Sequence, residues 1–300
     1  MFELYQLRYF LAVVETGSFT KAADRVFVTQ PTLSAGIHKL EQALGVRLFD
    51  RSSKRVFLTE SGSRFVDRAK AILHQVSLAE AEMRAAESPK ILRLGVLMTI
   101  PGAVVHHLLH PFRREEPGLV IELFEGTEQE IQNRLDSGRI DIALTILRPG
   151  YKSGLKSRTL SLYRDRYSVA IASHHPLAAK RSLHPRDLAD EPTIVRSRCE
   201  ILSETSRFFT DHNVRPRLVY RTTQDERALM MVAAGIGFTT MPNQYRMEGV
   251  ARLPLEGYDF DRILGLVWTS TPLSAEREDL LTRFGDFAGT LLPALTYETT

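Results

Sequence analysis

The chain has 300 residues, 43% hydrophobic and 25% charged, which is the balance of a soluble protein with length for two or three domains. A formal charge of only +3 excludes a polybasic nucleic-acid coat. The single cysteine, Cys199, excludes an intramolecular disulfide framework and fits a reducing compartment. No uncharged apolar run approaches the roughly 18 residues a membrane span needs, and Glu3, Arg8 and Glu15 are wrong for a signal peptide. A cytoplasmic protein is expected.

In chain order, Leu4 to Glu15 predicts a helix whose Leu7, Phe10, Leu11 and Val14 are core. Ser18 to Leu44 then predicts two helices joined by a tight bend. Ser18 is placed to cap the first and Thr29 the second, with Pro31 in the first turn, where a missing N–H costs nothing. Ala22 and Ala23 are small enough for close helix approach. Leu33, Ile37, Leu40 and Leu44 form one buried stripe of the second helix. Its opposite face carries Gln30, Thr32, Ser34, Ala35 and His38, with Lys39 at the edge. Short donors and acceptors at a helix N-terminus suit the base edges of a major groove. The same pattern also fits an ordinary solvent-facing helix, so the flanking sequence decides. Arg47 to Gly62 alternates apolar with basic or hydroxyl residues around Ser52-Ser53-Lys54 and predicts a two-stranded wing. Between residues 47 and 55, Arg47, Arg51, Lys54 and Arg55 stand against the single acid Asp50, a tip suited to phosphate.

The stretch LRYFLAVVETGSFTKAADRVFVTQPTLSAGIHKLEQALGVRLFDRSSKRVFLTESG resembles the winged helix–turn–helix of the LysR-type transcriptional regulators. The resemblance continues, more loosely, through the rest of the chain. It implies a DNA-binding interface of Thr29, Gln30, Pro31, Thr32, Ser34, His38, Lys39, Arg51, Lys54 and Arg55. One departure is Ala35, where many members carry a polar side chain that reaches bases. Direct readout here falls on Gln30, Thr32, Ser34 and His38. Residues 1–90 hold 13 Lys and Arg against 10 Asp and Glu, so the chain's excess of positive charge sits in this part.

From Ser61 to Glu87, Phe65, Ala69, Ile72, Val76, Ala79 and Met83 recur at heptad spacing, the pattern of a coiled coil. Two-fold pairing through such a helix presents the recognition helices to half-sites about 34 Å, or a multiple of it, apart. Ser88-Pro89 ends the helix. From Lys90 strands and helices alternate: strands at Ile91–Met98, Leu119–Glu125 and Ile140–Leu147, helices at Pro101–Arg114 and Glu128–Asp136. This order implies a parallel sheet with helices on both faces. A second unit starts near Tyr163, and Ile263 to Leu292 returns to the first. The expected fold is multidomain, α plus α/β. It has a winged helix–turn–helix (1–60), a linker helix (61–88) and a two-lobed effector domain (89–300). Lobe I comprises 89–162 and 267–300, and lobe II 163–266. The resemblance implies that the lobes form a cleft like that of periplasmic binding proteins.

Ligands of open α/β sheets sit at carboxyl ends of strands near helix N-termini. That rule selects Thr99, Ile100, Pro101, Thr127, Thr145, Arg196, Arg198, Cys199, Gly237 and Phe238. In the family, hydroxyls at the positions of Thr99 and Thr127 commonly hold a carboxylate or another polar effector group, although each is equally placed to be a helix cap. The expected effector is anionic or polar. Peroxide-sensing members keep a reactive cysteine in the Cys199 segment and a resolving cysteine about nine residues on. Here Phe208 and Phe209 stand there, so no intrachain disulfide can form, while a sulfenic acid remains open.

No cofactor or metal is expected. His106 and His110 have i, i+4 spacing but lack the glutamate of a zinc protease, and Gly235-Ile236-Gly237 is a lone tight turn. The reading is a non-enzymatic, ligand-responsive regulator. Its partners are duplex DNA with two-fold half-sites, a second copy of itself as dimer or tetramer, and RNA polymerase. The alternative is a free-standing solute-binding or Cys-dependent α/β protein with an N-terminal dimerisation module.

Overall fold

A computed structural model describes residues 1–50, 56–85, 90–148, 157–269 and 275–293. Helices α1 (Leu4–Thr16), α2 (Phe19–Arg25) and α3 (Gln30–Leu44) form the N-terminal core. The expected caps are present: Ser18 Oγ accepts from Lys21 N at 3.4 Å and Thr29 Oγ1 from Thr32 N at 3.3 Å. Leu33, Ile37 and Leu40 are fully buried, as are Leu7 and Phe10. Ala22 and Ala23 are buried as their size suggested. Gly36 of α3 acts likewise, since a Cβ there would strike the Tyr9 ring. The bend needs a left-handed residue, and Phe27 takes it at φ 57°. Strands β1 (Phe49–Asp50) and β2 (Phe57–Leu58) pair antiparallel as the base of the wing. Glu41 of α3 anchors that base by accepting from Leu48 N at 2.8 Å and Phe49 N at 3.2 Å. Arg51, Lys54 and Arg55 lie outside the described residues.

Helix α4 (Glu60–Ala85) is the expected linker, but its seam divides. Ala69 is buried among the N-terminal helices, and Phe65 and Ile72 pack on the same cluster. The first half of the seam therefore closes the chain's own core, which α1 alone does not cover. Val76 is half-buried and Ala79 exposed, while the Met83 side chain and the break at Ser88-Pro89 lie outside the described residues.

Strands β3 (Ile91–Leu97), β4 (Val120–Gly126) and β5 (Ile142–Ile146) are parallel in the order β4-β3-β5. Helices α5 (Gly102–Glu115) and α6 (Glu128–Asp136) connect them. The sheet is mixed rather than parallel throughout. The 16-residue strand β6 (Ser157–Ala172) runs from lobe I into lobe II, and β11 (Asp261–Thr269) returns antiparallel to β6 and β5. All of β11 pairs with β6, and Leu264 to Trp268 also pair with β5 of lobe I. Helix α9 (Ala275–Leu291) covers that sheet with Leu281 and Phe284.

Lobe II contains β7 (Pro192–Arg196), α7 (Leu202–Asp211), β8 (Arg217–Thr222) and α8 (Asp225–Ala233). Two short strands absent from the sequence reading, β9 (Thr239–Pro242) and β10 (Val250–Leu253), pair with the far half of β6. At four residues each, they are too short for an alternating pattern to stand out.

The linker helix docks on lobe I through His74 and Lys70. Lys70 Nζ lies 3.3 Å from Asp136 Oδ2 at the end of α6. His74 is 2% exposed and packs on Gly138, where a Cβ would overlap the imidazole. Neither ring nitrogen has a hydrogen-bond partner among the described residues. Burial pulls the imidazole below its ordinary 6.5; Asp141 and Asp136 oppose that shift and Arg277 adds to it. A histidine held neutral stabilises this joint above 6.5, and the contribution is lost as pH falls below it. His74→Leu should therefore shrink the loss of melting temperature between about pH 7.5 and about pH 5.5. An unchanged gap would remove His74 from the joint's pH response.

Candidate DNA and effector sites

The polar face of α3 is open. Thr29, Gln30, Pro31, Thr32, Ala35, His38 and Lys39 are exposed, and Ser34 is half-buried. Thr29 Oγ1 and Thr32 Oγ1 are 2.8 Å apart, so these hydroxyls pair with each other at the helix N-terminus. The buried stripe fixes the rotation of α3, and Glu41 fixes the wing base relative to it.

The second site is built where β6 and β11 cross between the lobes, at the Arg262 guanidinium, with 2% of its side chain exposed. Its Nη1 donates to Thr99 O at 2.9 Å, Thr99 Oγ1 at 3.1 Å and Glu200 Oε1 at 2.6 Å. Its Nε and Nη2 donate to Asp165 Oδ2 at 3.3 and 3.1 Å. Thr99 Oγ1 in turn donates to Glu200 Oε1 at 3.2 Å. Thr99 follows the first strand of lobe I, Glu200 follows β7 of lobe II, and Asp165 lies in the crossing strand. One cation thus joins both lobes and the hinge. Burial pushes Glu200 up, but Arg262, backed by the Glu200 backbone N–H, Tyr167 and Arg196, holds the carboxyl below its usual range. Burial raises the Asp165 carboxyl despite Arg262. A second lobe II carboxylate reaches across as well. Glu226 accepts from Gly102 N at 3.2 Å, at the N-terminus of α5, where helix N–H groups favour an anion.

The expected effector residues separate in this geometry. Thr99, Ile100 and Pro101 are buried at the lobe junction. Thr127 is a helix cap: its Oγ1 donates to Glu130 Oε2 at 2.8 Å and its backbone N–H donates to the same oxygen at 2.8 Å, completing a capping box. Thr145 is 1% exposed within β5. Arg196 is not available to an anion. It is 2% exposed, its Nε donates to Asp225 Oδ1 at 2.8 Å, its Nη2 pairs with Asp225 Oδ2, and its Nη1 donates to Thr240 O at 3.1 Å. Burial works against its charge, but Asp225 holds its pKa above the ordinary value. Arg198 is exposed, and its charge helps keep the Glu130 carboxyl low, behind the Thr127 hydrogen bonds. Gly237 packs on Pro192 O, where a Cβ would collide, and Phe238 is 1% exposed in the lobe II core.

Cys199 is free, and its Sγ lies 3.7 Å from Arg196 Nη1. Burial pushes the thiol up, only partly opposed by Arg196. His106 and His110 stack on α5 with ring centroids 5.3 Å apart. Among the described residues no three His, Cys, Asp or Glu side chains gather as a metal site. Nor is any helix there long and apolar enough to cross a membrane.

The residues the sequence reading missed are Arg262, Asp165, Glu200, Asp225 and Glu226. Each is a charged residue beside an apolar strand or opening a helix, where a solvated role is the ordinary one. Arg262 and Asp165 meet because β6 and β11 are antiparallel, with Arg262 opposite Asp165 in register. A mixed sheet was not legible from the strand–helix order.

Two family profiles match: "Bacterial regulatory helix-turn-helix protein, lysR family" over residues 4–63, and "LysR substrate binding domain" over residues 85–288. The chain belongs to the LysR family. It is a DNA-binding transcriptional regulator with an effector-binding domain. Among curated relatives, the transcriptional regulator BenM of Acinetobacter baylyi is 35% identical over 250 residues, covering 80% of each chain. The dual regulator OxyR of Escherichia coli is 30% identical over 284 residues, covering 91% of this chain and 92% of its own. A solved LysR regulator, HinK of Pseudomonas aeruginosa, superposes with a TM-score of 0.58 at 25% identity, covering 98% of this chain and all of its own. The family profiles and these relatives describe regulators rather than enzymes.

The Arg196–Asp225 pair yields a test. Asp225→Asn strands a buried guanidinium and should cost about 3–5 kcal/mol, lowering the midpoint of urea denaturation. Combining Arg196→Met with Asp225→Leu should recover most of the loss. Equal losses in both variants would mean that the pair is not held as described.

Proposed function

We propose that this LysR-type regulator binds operator DNA as a two-fold dimer and that a small molecule in the interlobe cleft changes that binding. The observation that carries the reading is Glu200: a lobe II carboxylate lies on the Thr99 hydroxyl and on Arg262, closing the lobes with a group from the chain itself. A ligand with an acceptor group, anionic or polar, would replace Glu200 on Thr99 and free lobe II to move. It shifts the equilibrium only by its differential affinity for the two lobe arrangements. Thr127 and Arg198 are candidate neighbours of such a ligand at the cleft mouth, whereas Cys199 packs against the lobe II core. Ile100, Pro101 and Thr145 shape the lobe I side of the cleft, whereas Gly237 and Phe238 are packed into lobe II and do not face it.

Self-association is supported by two open sheet edges. Val120 and Leu123 on β4 and Leu218 and Val219 on β8 are exposed, as are Met230 and Ile236 on and beside α8. Edge strands with apolar side chains favour a covering partner, and a second copy would cover both edges at once. Val76 and Ala79 extend the surface along α4. Dimer pairs assembling into a tetramer fit the same two surfaces. Regulation through RNA polymerase, on cytoplasmic operators, follows from this role.

A redox reading is favoured by one contact, Arg196 beside the Cys199 sulfur. It would proceed through a sulfenic acid, since the chain has no second cysteine. Burial of the thiol and the engagement of Arg196 by Asp225 weigh against it.

Mobility shift on genomic fragments tests DNA recognition. Arg51→Ala with Arg55→Ala should weaken every fragment and reduce the salt slope by about two. Gln30→Ala or Ser34→Ala should relax preference among fragments by about 1–3 kcal/mol. If both sets weaken all fragments alike, α3 does not read bases.

A further inference from the structure

A cavity of about 410 Å³ lies inside lobe II between α7 and the β7–β8 sheet. Val195 and Arg221 line it and are outside the α8 cluster, Tyr220 packs with α8, and Ile194 belongs to both the cavity wall and the α8 cluster. Neither the lobe I residues Thr99, Ile100, Thr127 and Thr145 nor the junction's Glu200, Asp165 and Arg262 line it, and it meets the junction's side of lobe II only at Arg196 and Cys199.

Its chemistry is two-ended. Leu202, Phe209, Val214 and Phe238 supply an apolar body. Three of the hydroxyls along its wall donate to the chain: Thr205 Oγ1 to Ile201 O at 2.9 Å, Thr210 Oγ1 to Ser206 O at 2.9 Å, and Thr239 Oγ1 to Ile194 O at 2.8 Å. Arg196 at the inner end is neutralised by Asp225. At the rim stand Arg215 and Arg221, both exposed, and among the described residues neither makes an ion pair. The interior therefore offers mainly apolar contact, and the rim offers two guanidinium groups without an ion-pair partner among the described residues. The volume falls in the range of small-molecule sites, about 300–1,000 Å³.

We propose that this cavity is a second ligand site, taking an amphipathic carboxylate, aromatic or medium-chain aliphatic, with its apolar body under α7 and its carboxylate on Arg215 and Arg221. Occupancy would wedge α7 against the β7–β8 sheet, and the loop from β7 to α7 carries Cys199 and Glu200. The site therefore bears on the lobe junction without overlapping it. The proposal does not rest on the interlobe cleft being a ligand site.

Cys199 lines the cavity and is the chain's single cysteine, so its alkylation reports occupancy directly. The full-length protein is treated with N-ethylmaleimide at mildly alkaline pH, with octanoate, benzoate or octylamine at millimolar concentration. Octanoate or benzoate should slow alkylation several-fold, while octylamine should not. Arg221→Glu and, separately, Arg215→Glu should raise the half-protecting concentration about tenfold, with melting temperatures confirming that both fold. Thr99→Ala should leave protection unchanged. Equal protection by octylamine, protection surviving both arginine variants, or no protection by either carboxylate overturns the proposal. Loss of protection in Thr99→Ala also overturns it, by placing the ligand in the interlobe cleft.

Discussion

Arg262 is the constraint from which the rest of the effector domain follows. A guanidinium withdrawn from water costs several kcal/mol unless its donors are met by charge and carbonyl oxygen. Here Asp165, Glu200 and Thr99 meet them, from the hinge strand, lobe II and lobe I respectively. The three partners come from three separate segments of the domain. Any relative movement of the lobes therefore breaks a charge-assisted hydrogen bond of a buried cation, which makes intermediate lobe positions unfavourable. Two discrete arrangements, rather than a continuum, are what a ligand switch requires.

The same logic explains how a change at the junction would reach DNA. Lobe I is tied to α4 by Lys70 on Asp136 and by His74 seated on Gly138. The start of α4 is tied to the N-terminal core by Ala69, Phe65 and Ile72. Gly62 lies against Leu48 O, with no room for a side chain. The chain from junction to recognition helix thus consists of packed contacts, and α4 would be its lever. A second copy would convert a rotation of that lever into a change in the separation of two recognition helices.

What was legible in the sequence followed from local rules. Caps at Ser18 and Thr29, the small pair Ala22-Ala23, the four-three stripe of α3 and the bounds of α6 each depend on a few neighbouring residues, and they lie where spacing put them. The junction was legible in part: the strand-end rule selected Thr99, but not the acid that sits on it. Arg196 was chosen for its charge and proved to be neutralised by Asp225, a partner 29 positions away. Thr127 kept the cap role that its position allowed. The linker seam was visible as a heptad, yet periodicity does not say whether an apolar stripe meets a second chain or the domain beside it. Here the first half meets the domain. Long-range electrostatic pairings, set by strand order and register, carry no signature in local pattern.

The claim that Glu200 holds the lobes closed and that lobe position sets the DNA-binding geometry is tested most directly by footprinting one operator with the wild type and with Glu200→Gln, without effector. The amide retains the size of the side chain but removes the charge that binds Arg262. The account expects the variant to protect a span of different length, with the same half-site bases contacted by α3. Identical footprints at equal affinity would contradict it.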